Sequence, residues 1–303
     1  TINNCSKKEK KHIKYLAKKF DIEINFREVV SNSFNIRHFI PHIYQALVWL
    51  FLKGWSFKGL NSSINNDEKS NVLVYSTLAH LKKDPENDKK IISGLWGDLP
   101  KLFFNHRLSI RWIYDFTRGS LTKTPKKSHD LLNSHDNDNF QTHSLLVPIN
   151  KRKTFFKSLL FFTKYYLLFS FKLFNLKRNF SHNILLKPYY SYLKFNIKDS
   201  FFGICAIENI FYSNTFDDIL NSINKQDLGL FINENQGWEF LFIKSWKKFN
   251  HGKLISIQHS TVSYWDLRYY YREWINESLT PDFISVNGES AKYLFLKSNY
   301  PMG

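Results

Sequence analysis

Methionine is almost absent from this chain. Of 303 residues the only one is Met302, and the first residue is Thr1. That pattern sets the expectation of a fragment that stops in a linker at Tyr300-Pro301-Met302-Gly303. Cysteine is nearly as scarce: Cys5 and Cys205 lie far apart, with no CxxC or metal-ligand spacing. This excludes a disulfide framework and a thiolate metal centre, and fits reduced thiols in a cytoplasmic protein. Acidic residues number 26 against 43 Lys and Arg, a formal charge of +17. The excess is spread along the chain, alongside the Lys, Asn, Ile, Phe and Tyr that AT-rich coding favours, and no nucleic-acid motif accompanies it. No nucleic-acid partner is therefore expected. Uncharged apolar runs of the roughly 20 residues a membrane span needs are also missing. So is an apolar stretch behind the polar, basic N-terminal residues, the mark of a secretory signal.

What is present describes a folded protein. A hydrophobic fraction of 43% with 17% aromatics excludes global disorder. The length suffices for one large or two ordinary domains. Residues 1–64 read as a basic, mainly helical segment: a Lys-rich helix over 1–20, a strand over 21–30, and a helix over 37–53. The polar run 61–70 is a boundary. From 65 onward the pattern changes to short β-branched runs alternating with helical stretches. Asn71–Thr77 (NVLVYST) reads as a buried parallel strand, Ser93–Arg107 as the following helix and Ser109–Phe116 as the next strand, a βαβ unit. Thr117–Asn139 reads as a mobile polar loop.

Residues 151–178 carry eight Lys or Arg, no acid, and many aromatic and aliphatic side chains. Lys157, Lys164 and Lys172 recur every seven or eight residues, so they share a helix face. Two readings fit: a helix lying on an anionic membrane surface, or an internal helix with snorkelling lysines. The helical insert is placed at 151–198.

The richest segment is 228–268. A buried strand ends in Asn233-Glu234-Asn235-Gln236, a helix follows, and a second strand ends in Gln258-His259-Ser260-Thr261. Pro281–Asn287 reads as a third strand, followed by Gly288 and a helix over 289–299. Parallel strands bring these three polar ends to one edge, where ligands bind in α/β sheets. Glu234, His259 and Asn287 would then share a cleft, with a carboxylate and an imidazole available as general base or acid. Gly288 suits a tight turn presenting N–H groups to an anion. Structural roles compete at each position. Glu234 can instead be a helix cap or first-turn acid, and His259 can bond a backbone group. Ser260 and Thr261 can cap the next segment, and Asp266 with Arg268 can form an ion pair. Trp238, Trp246 and Trp265 fit a core better than a sugar platform.

Several segments together resemble a known family: ENQGWE at Glu234–Glu239, GKLISIQHST at Gly252–Thr261, WDLRY at Trp265–Tyr269, and PDFISVNG at Pro281–Gly288. They are similar to bacterial surface-carbohydrate biosynthesis proteins of the O-antigen, capsule and lipopolysaccharide class, which resemble GT-B glycosyltransferases. The first βαβ unit is also similar, so the resemblance covers roughly residues 65–303. It implies a Rossmann-like α/β fold, a parallel sheet flanked by helices, forming the N-terminal, acceptor-side half of a two-domain GT-B architecture whose second Rossmann domain is absent. It further implies a nucleotide-sugar donor, a lipid-linked or lipopolysaccharide-type glycan acceptor, and no cofactor or metal. The place implied is the cytoplasm, peripheral on the inner face of the membrane. Glu234 or His259 would be the base. Asn235, Gln236, Gln258, Ser260, Thr261, Asp266, Arg268, Asn287 and Gly288 would contact substrate. Two alternatives stay open: a nucleotide-sugar epimerase or hydrolase on the same plan, and a non-catalytic basic membrane-binding module.

Overall fold

The structure, a computed structural model, describes residues 2–3, 7–21, 23, 26–27, 42–60, 64, 70–85, 91–134, 140–182, 187–259, 269 and 275–298. The expectations for Cys5, Ser260, Thr261, Trp265, Asp266 and Arg268 lie outside these residues, as does most of the strand expected over 21–30.

The chain opens with β1 (Ile2–Asn3), α1 (Lys7–Lys19), β2 (Phe26–Arg27) and α2 (His42–Ser56). Next come β3 (Val72–Thr77), the short strands β4 (Leu81–Lys83) and β5 (Ile91–Ser93), α3 (Leu99–Asn105), β6 (Ile110–Asp115), α4 (Pro125–Asn133) and β7 (Gln141–Leu145). Three helices follow: α5 (Lys151–His182), α6 (Lys187–Phe202) and α7 (Ile204–Ser222). The last elements are β8 (Leu228–Asn233), α8 (Gly237–Lys248), β9 (Lys253–Gln258), β10 (Phe283–Ser285) and α9 (Glu289–Lys297).

Backbone contacts divide the chain into two compact units, Thr1–Leu52 with Phe156–Ile210, and Lys53–Phe155 with Phe211–Gly303. In the first, α1 packs on α6 and β1 pairs with β2. No helix among the described residues is long and apolar enough to cross a membrane.

The second unit is a Rossmann-like α/β fold. Six strands form one parallel sheet in the order β10-β9-β8-β3-β6-β7. Strands buried on both faces must be apolar nearly throughout, and Val72–Ser76 and Ile110–Tyr114 are buried without a break. On one face Leu73, Tyr75, Ile113, Phe231 and Leu254 pack against Phe216, Ile219 and Leu220 of α7 and Phe242, Ile243 and Trp246 of α8. On the other, Trp112 stacks on Tyr114 and His143 at interplanar angles of 4° and 5°. Trp96 meets Trp112 edge-on, and its Nε1–H donates to Ser76 Oγ at 2.9 Å.

Strand order fixes where a ligand would sit. The chain leaves β3 for β6 and β7 on one side, then returns through α5–α7 to β8 on the other. The order reverses between β3 and β8, and an open parallel sheet has its crevice at the carboxyl ends of such a pair.

Three elements differ from the sequence expectations. The helix expected over 93–107 is shorter: α3 begins at Leu99, with Pro100 in its first turn, and residues 91–93 pair antiparallel with β4. The loop expected over 117–139 contains α4, whose Thr124 side chain accepts from Lys127 N–H with Pro125 directly behind. That is a helix start signal in a segment without apolar periodicity. The third is β7, whose sequence QTHSL lacks a strand's apolar content; His143 and Ser144 are nonetheless buried in the sheet.

The turn into β9 is tight. Gly252 donates its N–H to Gln226 O at 2.7 Å, and its carbonyl accepts from Trp246 Nε1 at 2.8 Å. A Cβ there would lie 2.0 Å from Asp227 O, a backbone atom. Gly252→Ala is therefore expected to cost roughly 3 kcal/mol in urea unfolding. Gly59→Ala should cost only about 1 kcal/mol, because Gly59 has a φ of 78° in open space. Equal costs would contradict this packing.

Candidate functional site at the sheet switch point

The turn from β8 into α8 is organised by a residue three places into the helix. Glu239 Oε1 accepts from the N–H groups of Glu234 at 2.9 Å and Gln236 at 3.1 Å, while Oε2 accepts from Asn235 N–H at 3.0 Å. One carboxyl group thus satisfies three consecutive donors that a strand-to-helix turn leaves over. The geometry requires Asn235 to take a left-handed conformation, φ 52°, which asparagine tolerates better than most residues. Burial pushes the Glu239 carboxyl up to about 8, although its three N–H bonds pull the other way and the nearby Glu234 carboxylate adds to the rise.

This settles the competing reading of Glu234. The first-turn acid of α8 is Glu239, and Glu234 precedes the helix. Its side chain turns instead to the next strand end, where Glu234 Oε1 lies 3.2 Å from His259 Nε2. Both side chains are partly exposed, Glu234 at 36% and His259 at 25%, so the pair is open to a ligand.

The neighbouring strand ends add further polar groups. His80 closes the short 3-10 turn Leu78–His80 directly after β3. Its ring centroid is 6.4 Å from that of His259. Sequence reasoning did not single out His80; the available signal was a histidine just beyond the polar end of a buried strand. Thr77 Oγ1 and Thr117 Oγ1 share a hydrogen bond of 2.7 Å, and Tyr212 donates to Asp115 Oδ2 at 2.7 Å. Strand register aligns Thr77 with Asp115, and Asn233 with Gln258. A polar row therefore crosses the carboxyl edge of the sheet on both sides of the switch point.

The remaining expected residues occupy distinct places. Gln258 is buried, and its Oε1 accepts from Asn287 N–H at 3.4 Å, joining the ends of β9 and β10. Asn287 and Gly288 are exposed beyond β10. Gly288 has a φ of 135°, a conformation side chains rarely adopt, as it turns into α9. Glu289 in the first turn of α9 already complements that helix dipole. Asn235 and Gln236 lie in the β8–α8 turn, half-buried. Asn233 is buried and gives its Nδ2–H to Ser256 Oγ at 3.0 Å. Trp246 is fully buried and Trp238 packs against the same core, as expected. No group of three potential metal ligands occurs among the described residues.

Comparison of the chain with protein-family models, curated proteins and solved structures finds no match. The chemistry of the edge must therefore be read from its own residues. A carboxylate against an imidazole fixes which ring nitrogen carries the proton. With the proton on Nε2 facing Glu234, Nδ1 is the nitrogen left to accept one.

Two consequences can be measured. Glu239→Ala removes the acceptor for three N–H groups and should cost about 2 kcal/mol or more of unfolding free energy. The Glu239 carboxyl is raised in the fold, so its favourable contribution is complete below about 4.5 and fades as pH rises through about 8. Urea unfolding of wild type and Glu239→Gln should show wild type losing stability relative to the variant across that window. A difference that stays flat, or moves the other way, would contradict the buried carboxyl.

Proposed function

We propose that this chain carries the acceptor side of a glycosyltransferase-like enzyme of bacterial surface-polysaccharide assembly, with Glu234 and His259 as its proton-accepting pair. The observation that carries the reading is the 3.2 Å contact between those two side chains beside the sheet's switch point. Support also comes from the placement of the segments that resemble the surface-carbohydrate family. ENQGWE begins at the end of β8, GKLISIQH runs along β9 to its end, and PDFISVNG includes β10.

The reaction follows from the pair. An acceptor hydroxyl loses its proton to His259 Nδ1 while its oxygen forms a bond to the anomeric carbon of the donor sugar. The bond from that carbon to the phosphate oxygen breaks, and the nucleoside diphosphate departs with the electron pair. Glu234 holds the Nε2 proton and stabilises the imidazolium that forms. General-base assistance of this kind contributes roughly 100- to 10,000-fold.

Glu234→Gln and His259→Asn are each expected to lower sugar transfer at least about 100-fold and to abolish the surface polysaccharide, with thermal unfolding unchanged. Normal polysaccharide in either variant would sink the assignment. Acceptor-independent conversion of the nucleotide-sugar would instead point to an epimerase or hydrolase.

A further inference from the structure

In the first unit, α2 up to Leu52 and α5 from Phe156 carry apolar side chains outward. On α2, Ala46 and Leu50 are fully buried, while Tyr44, Val48 and Leu52 follow one another at intervals of four along the exposed side. Leu52 is 64% exposed. On α5 the buried line is Thr154, Ser158 and Phe162. On another face of the same turns, Lys157, Leu160, Lys164 and Leu167 recur at steps of three, four and three, which keeps them together. Leu160 is 70% exposed and Leu167 60%. Leaving such leucines in water costs free energy.

Charge identifies the occupant. Residues 42–60 contain no Asp or Glu, and neither do residues 151–198. An acid-free face with lysines between leucines repels a second copy of itself. It matches a negatively charged bilayer, where the leucines enter the acyl boundary and the lysine stems let each ammonium reach a phosphate. The helices do not span the bilayer, since none among the described residues is long and apolar enough. We infer that the outward faces of α2 and α5 form an interfacial docking surface for an anionic membrane. The α5 part sharpens the reading of residues 151–178; the α2 face adds a second contact that sequence periodicity did not single out. Vesicle binding requires no catalysis, so this inference stands or falls apart from sugar transfer.

Flotation with vesicles tests it directly. The full chain is expected to float with vesicles of phosphatidylcholine containing about 30 mol % phosphatidylglycerol, to release in high salt, and to stay behind with phosphatidylcholine alone. Leu160→Gln with Leu167→Gln, and separately Leu52→Gln, should each weaken binding by about tenfold or more. Unchanged circular dichroism and melting would show that these exposed substitutions leave the fold intact. Replacing Lys157 and Lys164 by Gln should weaken the preference for anionic lipid. The inference is overturned by absent binding, by equal binding to neutral vesicles, or by leucine variants that bind like wild type. It is also overturned if the same leucine substitutions dissolve a dimer of the chain without affecting vesicle binding.

Discussion

A single carboxyl group three residues into a helix determines what the edge of the sheet can do. Glu239 gathers the N–H groups of Glu234, Asn235 and Gln236, and in doing so bends the chain sharply out of β8. Because Glu239 serves the turn, Glu234 is released from it and reaches His259 on the next strand. The arrangement carries a cost: a buried carboxyl group is hard to ionise, and three N–H bonds only partly offset the loss of water. Proteins accept such local expense where backbone position matters, and here the position is the crevice between β3 and β8.

The opposite, amino edge of the sheet is fixed by a separate set of bonds. Gly252 allows β9 to start against the backbone at Gln226 and Asp227, so β9 enters the sheet in register with β8. His251, at the same turn, accepts from Gln226 N–H through Nδ1 and lies 2.9 Å from Leu220 O through Nε2. Burial holds its imidazole below the usual range, so it stays neutral and serves as a brace. One histidine at the start of β9 is thus structural, and the one just past its end is paired and accessible. Asp282 performs a similar bracing task for β10, taking Leu254 N–H on one oxygen and the Lys253 ammonium on the other.

Much of this was legible in the sequence, for a physical reason. Buried parallel strands need unbroken apolar runs, so NVLVYST, SIRWIYDF and LGLFIN announced themselves, and polar residues directly after such runs can only sit on the carboxyl edge. That placed Glu234 and His259 near each other. What periodicity could not show was the division of labour between Glu234 and Glu239. Both are acids near a helix start, and only the left-handed turn at Asn235 decides which one returns to the backbone. His80 escaped notice because its partner, His259, lies far along the chain. The strand β7 was hidden by its polar residues, which are buried by aromatic stacking between Trp112, Tyr114 and His143 and not by hydrophobic side chains of their own. The outward leucines of α5 read equally well as core or surface until the buried line Thr154, Ser158, Phe162 chose between them.

The central claim is that Glu234 and His259 act as one proton-transfer unit, and a comparison of single and double variants tests it most directly. Transfer rates to a defined glycan acceptor would be measured for the wild-type protein, Glu234→Gln, His259→Asn and the double variant. If the two side chains form one unit, the His259 variant and the double variant should be equally slow, because Glu234 works only through the imidazole it orients. Losses that multiply in the double variant would show two independent residues and contradict the account.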